Sequence, residues 1–267
     1  MAERLAGPDD PRAADYAHIG DPAWLRDRGL FVAEGRLVVE RLIAAGRFTL
    51  QSILLTSPAF DAMTGALAAV RCPVYLVSRE VMEMLTGFDF HRGCLALADR
   101  EPAVSPLPPE KLQRRLLGVE GVGNPDNVGG LFRVAEAFGA GAVLLDPTSG
   151  DPLYRKAIRT SMGAVVRLPY IRLASWPADL DRMRDEGFKV VALTPRLSAV
   201  PLDEYLRSIC QEDRLILVVG AEGPGLSEPV LRLADALIRI PLAEGVDSLN
   251  VVVAAGIALA AFQNPRF

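Results

Sequence analysis

Three short loops that contain glycine or proline, each followed by a predicted helix, carry polar residues that could do chemistry. They span 121–127, 220–227 and 241–249, and each follows an apolar run of strand length. Backbone N–H groups in such turns and at helix starts bind anions or the polar atoms of ligands. The loops therefore predict a ligand site built mostly from main chain, although turns without a ligand would use the same glycines. The polar side chains in or beside them are Asn127, Glu222, Ser248 and Asn250.

The first loop lies in a stretch, 117–146, whose pattern predicts a strand, a loop, a helix and a second strand. Asn127 is expected to cap the helix, because its side chain can accept from free N–H groups of the first turn. Gly139 is expected to end it, since glycine adopts the left-handed conformation at little cost. Arg133 is the one cation on this largely apolar segment. Such a loop and helix start lie at the carboxyl edge of a parallel sheet, where open α/β folds bind ligands.

The polar side chains of these loops and Arg133 could also have purely structural roles instead of catalytic ones. Asn127 and Ser248 would also serve as plain helix caps, and capping does not exclude catalysis. For Arg133 the alternative is a surface salt bridge with Asp126 or Glu136.

Other catalytic classes fit the sequence poorly. Asp146 follows the glycines of the first loop by the spacing of the ribose-binding acid in dinucleotide-binding domains. However, Asp126 stands where the third glycine of that fingerprint should be, and an acid there would repel a pyrophosphate. The GxSxG nucleophile motif and the GxxxxGK[ST] phosphate loop are both absent from the sequence.

Helices and strands alternate along the chain, which predicts an α/β protein with two domains. Residues 1–29 are expected to form an irregular or short-helical arm, rich in Asp, Pro and Arg. Residues 30–100 are expected to form a small α/β sandwich. A proline-rich linker follows at 101–111, because proline removes backbone donors and favours extended geometry. The elements predicted in the small domain are helices at 34–45, 59–70 and 79–86 and strands at 50–56, 73–78 and 93–98.

The second domain, 112–267, ends in an unusual helix. The segment 249–262 is apolar around its whole circumference apart from Asn250, whereas a surface helix keeps a polar face. We therefore expect it to be buried on every side, in a homodimer interface rather than in the centre of one subunit. Ser227 is expected to cap an earlier helix. The other elements predicted here are helices at 151–164, 177–186, 202–208 and 228–236 and strands at 165–170, 189–193, 215–220 and 237–242.

Composition sets broad limits on the class of protein. The chain has 267 residues, 50% of them hydrophobic, and a net charge of −4, which indicate an ordinary cytosolic protein with a real core. We expect neither a membrane span nor a metal site, and the three separated cysteines are typical of reduced thiols. The net negative charge argues against a protein that binds nucleic acid non-specifically through a highly basic surface. A local patch of arginines would still be enough to bind RNA.

Three segments together resemble a known family more specifically than any single loop does. NPDNVGGLFRVAEAFGA, VVGAEGPGLS and IPLAEGVDSLNVVVAAGIAL resemble, in order and spacing, the three motifs of the SpoU/TrmH RNA ribose 2′-O-methyltransferases. RTSMGA is similar to the family's intermediate segment. FVAEGRLVVERLIAAG and HRGCLAL are similar to its N-terminal substrate-binding domain, which itself resembles small ribosomal-type RNA-binding proteins. The resemblance covers nearly the whole chain from about Leu30.

The resemblance implies an α/β fold in which a small α/β/α RNA-binding domain precedes a parallel-sheet methyltransferase domain with a trefoil knot. It implies S-adenosylmethionine (AdoMet) as the methyl donor and a homodimer packed through the last helix. The positions that match the family's cofactor contacts are Leu193, Thr194, Gly220, Ile240, Ser248 and Leu249. The positions that match its catalytic side chains are Asn127, Arg133, Glu222, Ser248 and Asn250.

Chemistry limits the role of Arg133, which matches the family's proposed catalytic residue. Methyl transfer to a ribose 2′-hydroxyl needs in-line geometry and removal of a proton from a weak acid. A guanidinium with a pKa above about 12 is a poor base. We therefore favour Arg133 as the residue that holds an RNA phosphate or stabilises the developing alkoxide, with deprotonation as the alternative. The alternative function is an inactive RNA-binding protein of the same fold.

RNA is the expected partner, and ribosomal RNA is favoured over transfer RNA on the resemblance of the N-terminal domain alone. The sequence offers several cations for this role, each of which would equally suit an ordinary solvated face. The candidates are Arg36, Arg41, Arg92, Arg155, Lys156 and Arg159.

Overall fold

The computed structural model describes residues 2–87, 93–102, 113–210 and 212–263. The chain divides into two compact units. The first unit comprises Met1–Ser105 and Leu153–Arg167, and the second comprises Pro106–Pro152 and Leu168–Phe267.

The first unit contains a mixed sheet in the strand order β1-β4-β3-β5-β2. β1, β4 and β3 are parallel, whereas β5 runs antiparallel to both β3 and β2. Its strands are β1 (Ala2–Arg4), β2 (Leu30–Glu34), β3 (Phe48–Thr56), β4 (Val74–Val77) and β5 (Cys94–Pro102). The helices in the N-terminal segment of this unit are a 3-10 helix (Pro11–His18), α1 (Pro22–Asp27), α2 (Arg36–Ala45), α3 (Ser57–Leu67) and α4 (Arg79–Thr86).

The predicted helices and strands of the small domain are present with small shifts at their ends, but the pattern missed β2. The short helices expected in the arm over 1–29 are present, and this segment also contains β1 and belongs to the first unit. Ala13, Tyr16 and Ile19 are buried in its core. The buried Tyr16 hydroxyl lies 2.8 Å from the hydroxyl of Ser52 on β3, within hydrogen-bond distance. This segment therefore contributes to the core of the unit.

The segment 153–167 was predicted to belong to the second domain, as most of a helix at 151–164 and the start of a strand at 165–170. It instead forms two short helices, α6 (Arg155–Thr160) and α7 (Ala164–Arg167), that belong to the first unit. The chain turns between them at Met162 and Gly163, whose φ angles are 54° and 82°. Arg41 on α2 donates to the Met162 carbonyl, which fastens this turn to the first unit. Tertiary contacts thus override the strand propensity of the valines in α7.

The second unit contains a sheet that is parallel throughout, in the order β10-β12-β9-β11-β6-β7-β8. β6 lies between β7 and β11; the next two strands of the chain, β7 and β8, lie on one side of it, and the last four, β9 to β12, lie on the other. Open α/β folds bind ligands at such a reversal, beyond the carboxyl ends of the strands. The strands are β6 (Arg115–Glu120), β7 (Ala142–Leu145), β8 (Tyr170–Arg172), β9 (Phe188–Leu193), β10 (Val200–Pro201), β11 (Arg214–Gly220) and β12 (Ala236–Arg239).

Helices cover this sheet, and two of them pack closely together. They are α5, near the start of the unit, and α11, at its end. A Cβ built on Gly130 of α5 would lie 2.7 Å from Cγ2 of Val252 on α11, so the glycine permits this close approach. The helices of the unit are α5 (Pro125–Ala137), α8 (Ala178–Asp185), α9 (Leu202–Leu206), α10 (Glu228–Leu233) and α11 (Val251–Gln263).

The predicted all-round burial of the last helix is not found in the single chain. Ala255, Ala258 and Leu259 are buried, whereas Val253 and Ile257 are 50% and 40% exposed. These two residues stand one helical turn apart, so they share one face of α11. No helix within the described residues is long and apolar enough to cross a membrane.

Replacing the glycine at the helix crossing tests the close packing of α5 against α11. Gly130→Ala should lower the free energy of unfolding by about 1–3 kcal/mol, because the stiff β-branched Val252 must move. Gly65→Ala is the matched control, since a Cβ on this glycine of α3 meets nothing within 4 Å. It should raise the free energy by about 0.5–1 kcal/mol through helix propensity. Urea unfolding followed by circular dichroism measures both, and equal effects would contradict the packing argument.

Candidate active site

A cavity of about 220 Å³ opens beyond the carboxyl ends of β9, β11 and β12. Since β12, β9 and β11 are neighbours in the sheet, the segments that follow them meet at one edge. All six positions predicted to contact a cofactor line this single cavity. They are Leu193, Thr194, Gly220, Ile240, Ser248 and Leu249.

The walls of the cavity are mostly apolar. Leu193, Ile240 and Leu249 supply aliphatic surface, and the loop after β11 supplies backbone. Thr194 is buried and held at the end of β9, where its N–H donates to the Ile238 carbonyl at 2.9 Å. Such a cavity suits a flat apolar ring whose polar edge is satisfied by main-chain groups.

Gly220 determines the course of the loop that forms one wall. A Cβ at this position would lie 2.4 Å from the Gly225 carbonyl carbon and 2.5 Å from the Leu226 nitrogen. Both contacts are with backbone, so a side chain cannot be accommodated by rotating a neighbour. The loop closes with a hydrogen bond of 3.0 Å from the Gly225 N–H to the Ala221 carbonyl.

Glu120, at the end of β6, anchors the far end of the same loop and was missed by the sequence analysis. Its carboxylate accepts from the Ser227 N–H at 2.8 Å, from the Ser227 hydroxyl at 2.7 Å and from the Trp176 indole N–H at 2.8 Å. Ser227 does occupy the N-cap position of α10, but its side chain makes no capping hydrogen bond. The sequence signal that could have identified Glu120 is its position directly before the first glycine loop.

Three of the predicted catalytic residues form one hydrogen-bonded network, although they come from three different loops. The Asn250 amide nitrogen donates to Asn127 Oδ1 at 3.1 Å and to Glu222 Oε1 at 2.7 Å. The Asn250 amide oxygen accepts from the Val252 N–H at 3.0 Å and so caps α11. Asn250, rather than Ser248, is therefore the residue whose side chain caps this helix.

The predicted cap of α5 is also wrong. Asn124 is the N-cap, and its side chain accepts from the Asp126 N–H at 2.9 Å. Pro125 occupies the first helical position, where its missing N–H costs nothing. Asn127 lies within the first turn and is buried, so its side chain is directed to Asn250 instead of to the helix backbone.

Arg133 is exposed on α5. Within the described part of the chain its guanidinium makes no hydrogen bond or ion pair, so the alternative of a salt bridge with Asp126 or Glu136 is not found there. Its charge remains available to a ligand.

Asp146 has a structural role in the loop after β7. Its carboxylate accepts from the Gly121 N–H at 3.1 Å and from the Ser149 N–H at 2.8 Å, and it also accepts from both the N–H and the hydroxyl of Thr148. Burial raises the pKa of Asp146, but hydrogen bonds from Ser149 and Thr148 outweigh it and leave the pKa below its ordinary value. These contacts give Asp146 a role that needs no ribose, which removes the main support for a dinucleotide-binding site.

The candidate RNA-binding cations differ in their surroundings within the first unit. Arg155 is paired with the buried Glu34 at 2.9 Å, and Arg41 donates to a backbone carbonyl, so both have structural partners. Arg36, Lys156 and Arg159 are exposed. Arg92 lies outside the described residues. Among the residues that are described, no group of three or more His, Cys, Asp or Glu side chains could hold a metal ion.

The fold and the cavity define a class, a parallel α/β domain that presents a largely main-chain ligand site at the carboxyl ends of its strands. The sequence model of the SpoU rRNA methylase family matches residues 114–260, more than half of the chain, and the chain belongs to this family. The predicted family and its class, RNA methyltransferase, are therefore confirmed.

Proteins of similar sequence or fold match this chain over nearly its whole length. An uncharacterised tRNA/rRNA methyltransferase of Mycobacterium tuberculosis is 39% identical over 258 residues, covering 95% of this chain and 89% of that protein. The AdoMet-bound rRNA methyltransferase of Sinorhizobium meliloti has a TM-score of 0.80 and 25% identity, covering 100% of this chain and 99% of the other. The crystal structure of an RNA 2′-O ribose methyltransferase has a TM-score of 0.76 and 28% identity, covering 99% of each chain.

Removing the Asn250 side chain tests the network. Asn250→Ala should lower the free energy of unfolding by about 1 kcal/mol or more, because α11 loses its cap and the buried Asn127 oxygen loses its donor. Ser248→Ala is the matched control and should change it by no more than about 0.5 kcal/mol, as substitutions away from such features do. The measurement is urea unfolding of both variants. A Ser248→Ala variant that loses as much as Asn250→Ala would restore Ser248 as the cap.

Proposed function

We propose that this protein transfers a methyl group from AdoMet to a ribose 2′-hydroxyl of RNA. The observation that carries the proposal is the meeting of all six expected cofactor positions around one cavity. Glu222 lines this cavity and is hydrogen-bonded to Asn250, so the cavity and the polar network adjoin. Family membership and the likeness to a 2′-O ribose methyltransferase support the reaction class.

The residues around the cavity fit AdoMet. Leu193, Ile240 and Leu249 provide apolar surface for an adenine ring, and neighbouring backbone groups can pair with its polar edge. Gly220 leaves room where any side chain would collide with the loop. When bound, AdoMet supplies an activated methyl group on its sulfonium. Because that group is already reactive, the work left to the protein is chiefly to position the acceptor hydroxyl.

The polar network would hold the acceptor in place. Asn250 fixes one carboxylate oxygen of Glu222, and the other makes no hydrogen bond within the described residues. That free oxygen can accept a hydrogen bond from the substrate. Asn127 is buried and orients the Asn250 amide, so it acts on the substrate through Asn250. A donor–acceptor chain of this kind orients a hydroxyl without a metal ion.

Arg133 would provide positive charge toward the RNA. It is exposed on α5, and its guanidinium has no partner among the described residues. Because a guanidinium keeps its proton at neutral pH, we assign Arg133 to a phosphate contact or to the developing alkoxide rather than to proton removal.

The remaining features of the resemblance belong to the same proposal. A homodimer through α11 would cover Val253 and Ile257, which the single chain leaves exposed although the helix is apolar on all sides. Gly256 and Ala260 on the same helix are small and half-buried and would allow a second helix to approach closely. A trefoil knot formed by the C-terminal segment and a preference for ribosomal RNA complete the proposal.

Substitution of Gly220 tests the cofactor assignment. Gly220→Ala should weaken AdoMet binding at least about tenfold, because the Cβ collides with backbone and displaces one wall of the cavity. Gly123→Ala is the matched control in the first loop, where a Cβ meets nothing within 4 Å. It should bind AdoMet as the unaltered protein does. Isothermal titration calorimetry measures both, and unchanged binding by Gly220→Ala would place the cofactor elsewhere.

Substitution of Arg133 tests the catalytic assignment. Arg133→Ala should lower methyl transfer by about 100-fold or more while AdoMet binding stays nearly intact, because the residue acts on the RNA side. Arg232→Ala removes an exposed charge from α10 of the same unit and should keep normal turnover. The assay incubates labelled AdoMet with total RNA and identifies the nucleoside after nuclease digestion.

Three outcomes of this assay would contradict the proposal. Base-methylated product alone would refute the ribose assignment. Normal turnover of Arg133→Ala would refute the role of Arg133. No transfer by the unaltered protein to RNA from several sources, together with calorimetric failure to bind AdoMet, would favour the inactive RNA-binding alternative.

A further inference from the structure

The loop that follows β11, residues 220–227, forms much of one wall of the expected cofactor cavity. Its residues that line the cavity are Gly220, Ala221, Glu222, Gly223, Gly225 and Leu226. Gly223 and Gly225 have φ angles of 88° and 69°. Because glycine has more backbone freedom than any other residue, the sequence of the loop does not by itself fix one conformation. Contacts from outside the loop must therefore hold it in place.

Glu120 contacts both ends of this loop. It is the last residue of β6 and is paired in the sheet with Gly220, the last residue of β11, where the loop begins. Its side chain reaches Ser227, where the loop ends. Oε2 accepts from the Ser227 N–H at 2.8 Å, and Oε1 accepts from the Ser227 hydroxyl at 2.7 Å. One residue thus fixes the start of the loop through the sheet and its end through a carboxylate.

The carboxylate of Glu120 is itself held from the side of the core. The Trp176 indole N–H donates to Oε1 at 2.8 Å, and the Trp176 ring packs against the hydrophobic core of the unit. A Cβ built on Gly118 of β6 would lie 3.4 Å from Cη2 of this ring. Hydrogen bonds to a charged carboxylate are stronger than those between neutral groups. Glu120 is therefore a fixed point against which the loop is held.

We propose that Glu120 is a positioning residue for AdoMet, and that its carboxylate, acting through Ser227, holds the loop 220–227 in the conformation that binds the cofactor. Among the described residues, Glu120 is not one of those that line the cavity, so it acts through another residue. A loop already held in its binding conformation loses less entropy when the ligand binds. The same loop carries Glu222 to Asn250, so holding it also places that carboxylate. This inference rests on the proposed function for the identity of the ligand as AdoMet.

Glu120→Gln tests the assignment, because it keeps the size of the side chain and removes its charge. Whichever way the new amide lies, its NH2 group faces the N–H of either Ser227 or Trp176, so a donor meets a donor. The affinity of the full chain for AdoMet, measured by isothermal titration calorimetry, should fall about fivefold or more. Ser227→Ala removes only the hydroxyl and should lower the affinity about two- to threefold.

A matched control separates hydrogen bonding from charge, since the sulfonium of AdoMet is positive and favours any nearby carboxylate. Glu228→Gln removes an exposed carboxylate from the residue after Ser227, where it is paired with the exposed Arg196. Exposed ion pairs contribute little, so this variant should change the affinity by less than about twofold. Thermal unfolding of each variant checks that it is folded at the temperature of the titration.

The double variant Glu120→Gln/Ser227→Ala tests the route. If Glu120 acts through Ser227, the two changes remove parts of one interaction. The loss of affinity in the double variant should then be smaller than the product of the two single losses. A residue that contributed only to the stability of the fold would lower the unfolding temperature and leave the affinity of the folded protein unchanged.

Two results would overturn the proposal. One is a folded Glu120→Gln variant that binds AdoMet as tightly as Glu228→Gln does. The other is a double variant in which the single losses multiply, since this would exclude Ser227 as the route. Should Glu120→Gln not fold, Ser227→Ala decides, and an affinity equal to that of Glu228→Gln overturns the proposal.

Methyl transfer by the unaltered protein is measured separately. Failure of the unaltered protein to bind AdoMet would refute the proposed function and this inference with it. Binding that is insensitive to the Glu120 and Ser227 variants refutes only the role of Glu120. Binding that is sensitive to them, without ribose methylation of RNA by the unaltered protein, refutes only the proposed reaction.

Discussion

The Asn250 side chain joins the three glycine-containing loops of the second unit, and the arrangement of the candidate active site depends on it. Its amide nitrogen donates to Asn127 from the first loop and to Glu222 from the second, while its oxygen caps the helix that follows the third. A carboxamide is the side chain that can do both, because it carries donors and an acceptor together. Aspartate would keep the cap but place a second carboxylate beside Glu222. The network therefore couples the start of α11 to the wall of the cavity.

This coupling requires the two helices that carry the amides to lie close together. Gly130 on α5 faces Val252 on α11, and the missing side chain sets their separation. A larger residue there would move Asn127, one turn earlier on α5, away from Asn250. A second constraint acts at Gly220, where the backbone of the loop occupies the space of a side chain. Packing inside the unit and geometry at its ligand site thus each depend on a glycine, Gly130 and Gly220, which explains why glycine stands within elements where it costs stability.

Sequence patterns predicted most of the sheet strands, the glycine loops and a set of residues that line one cavity, because period, composition and motif order are local properties. They failed where a choice depended on tertiary contacts. Asn124 and Asn127 are both good caps, and only Pro125 at the first helical position, a signal that was overlooked, favours Asn124. The valines of α7 have strand propensity, yet the contacts of 153–167 within the first unit make it helical. Glu120 was missed because its partners, Ser227 and Trp176, are distant in sequence.

The charge distribution bears on how a protein of this composition can hold RNA. With a net charge of −4, long-range attraction to a polyanion is weak or absent, so affinity must come from local contacts. Two of the candidate arginines, Arg41 and Arg155, already have partners within the protein. Contacts from other cations, together with stacking and shape, must supply the remaining binding energy.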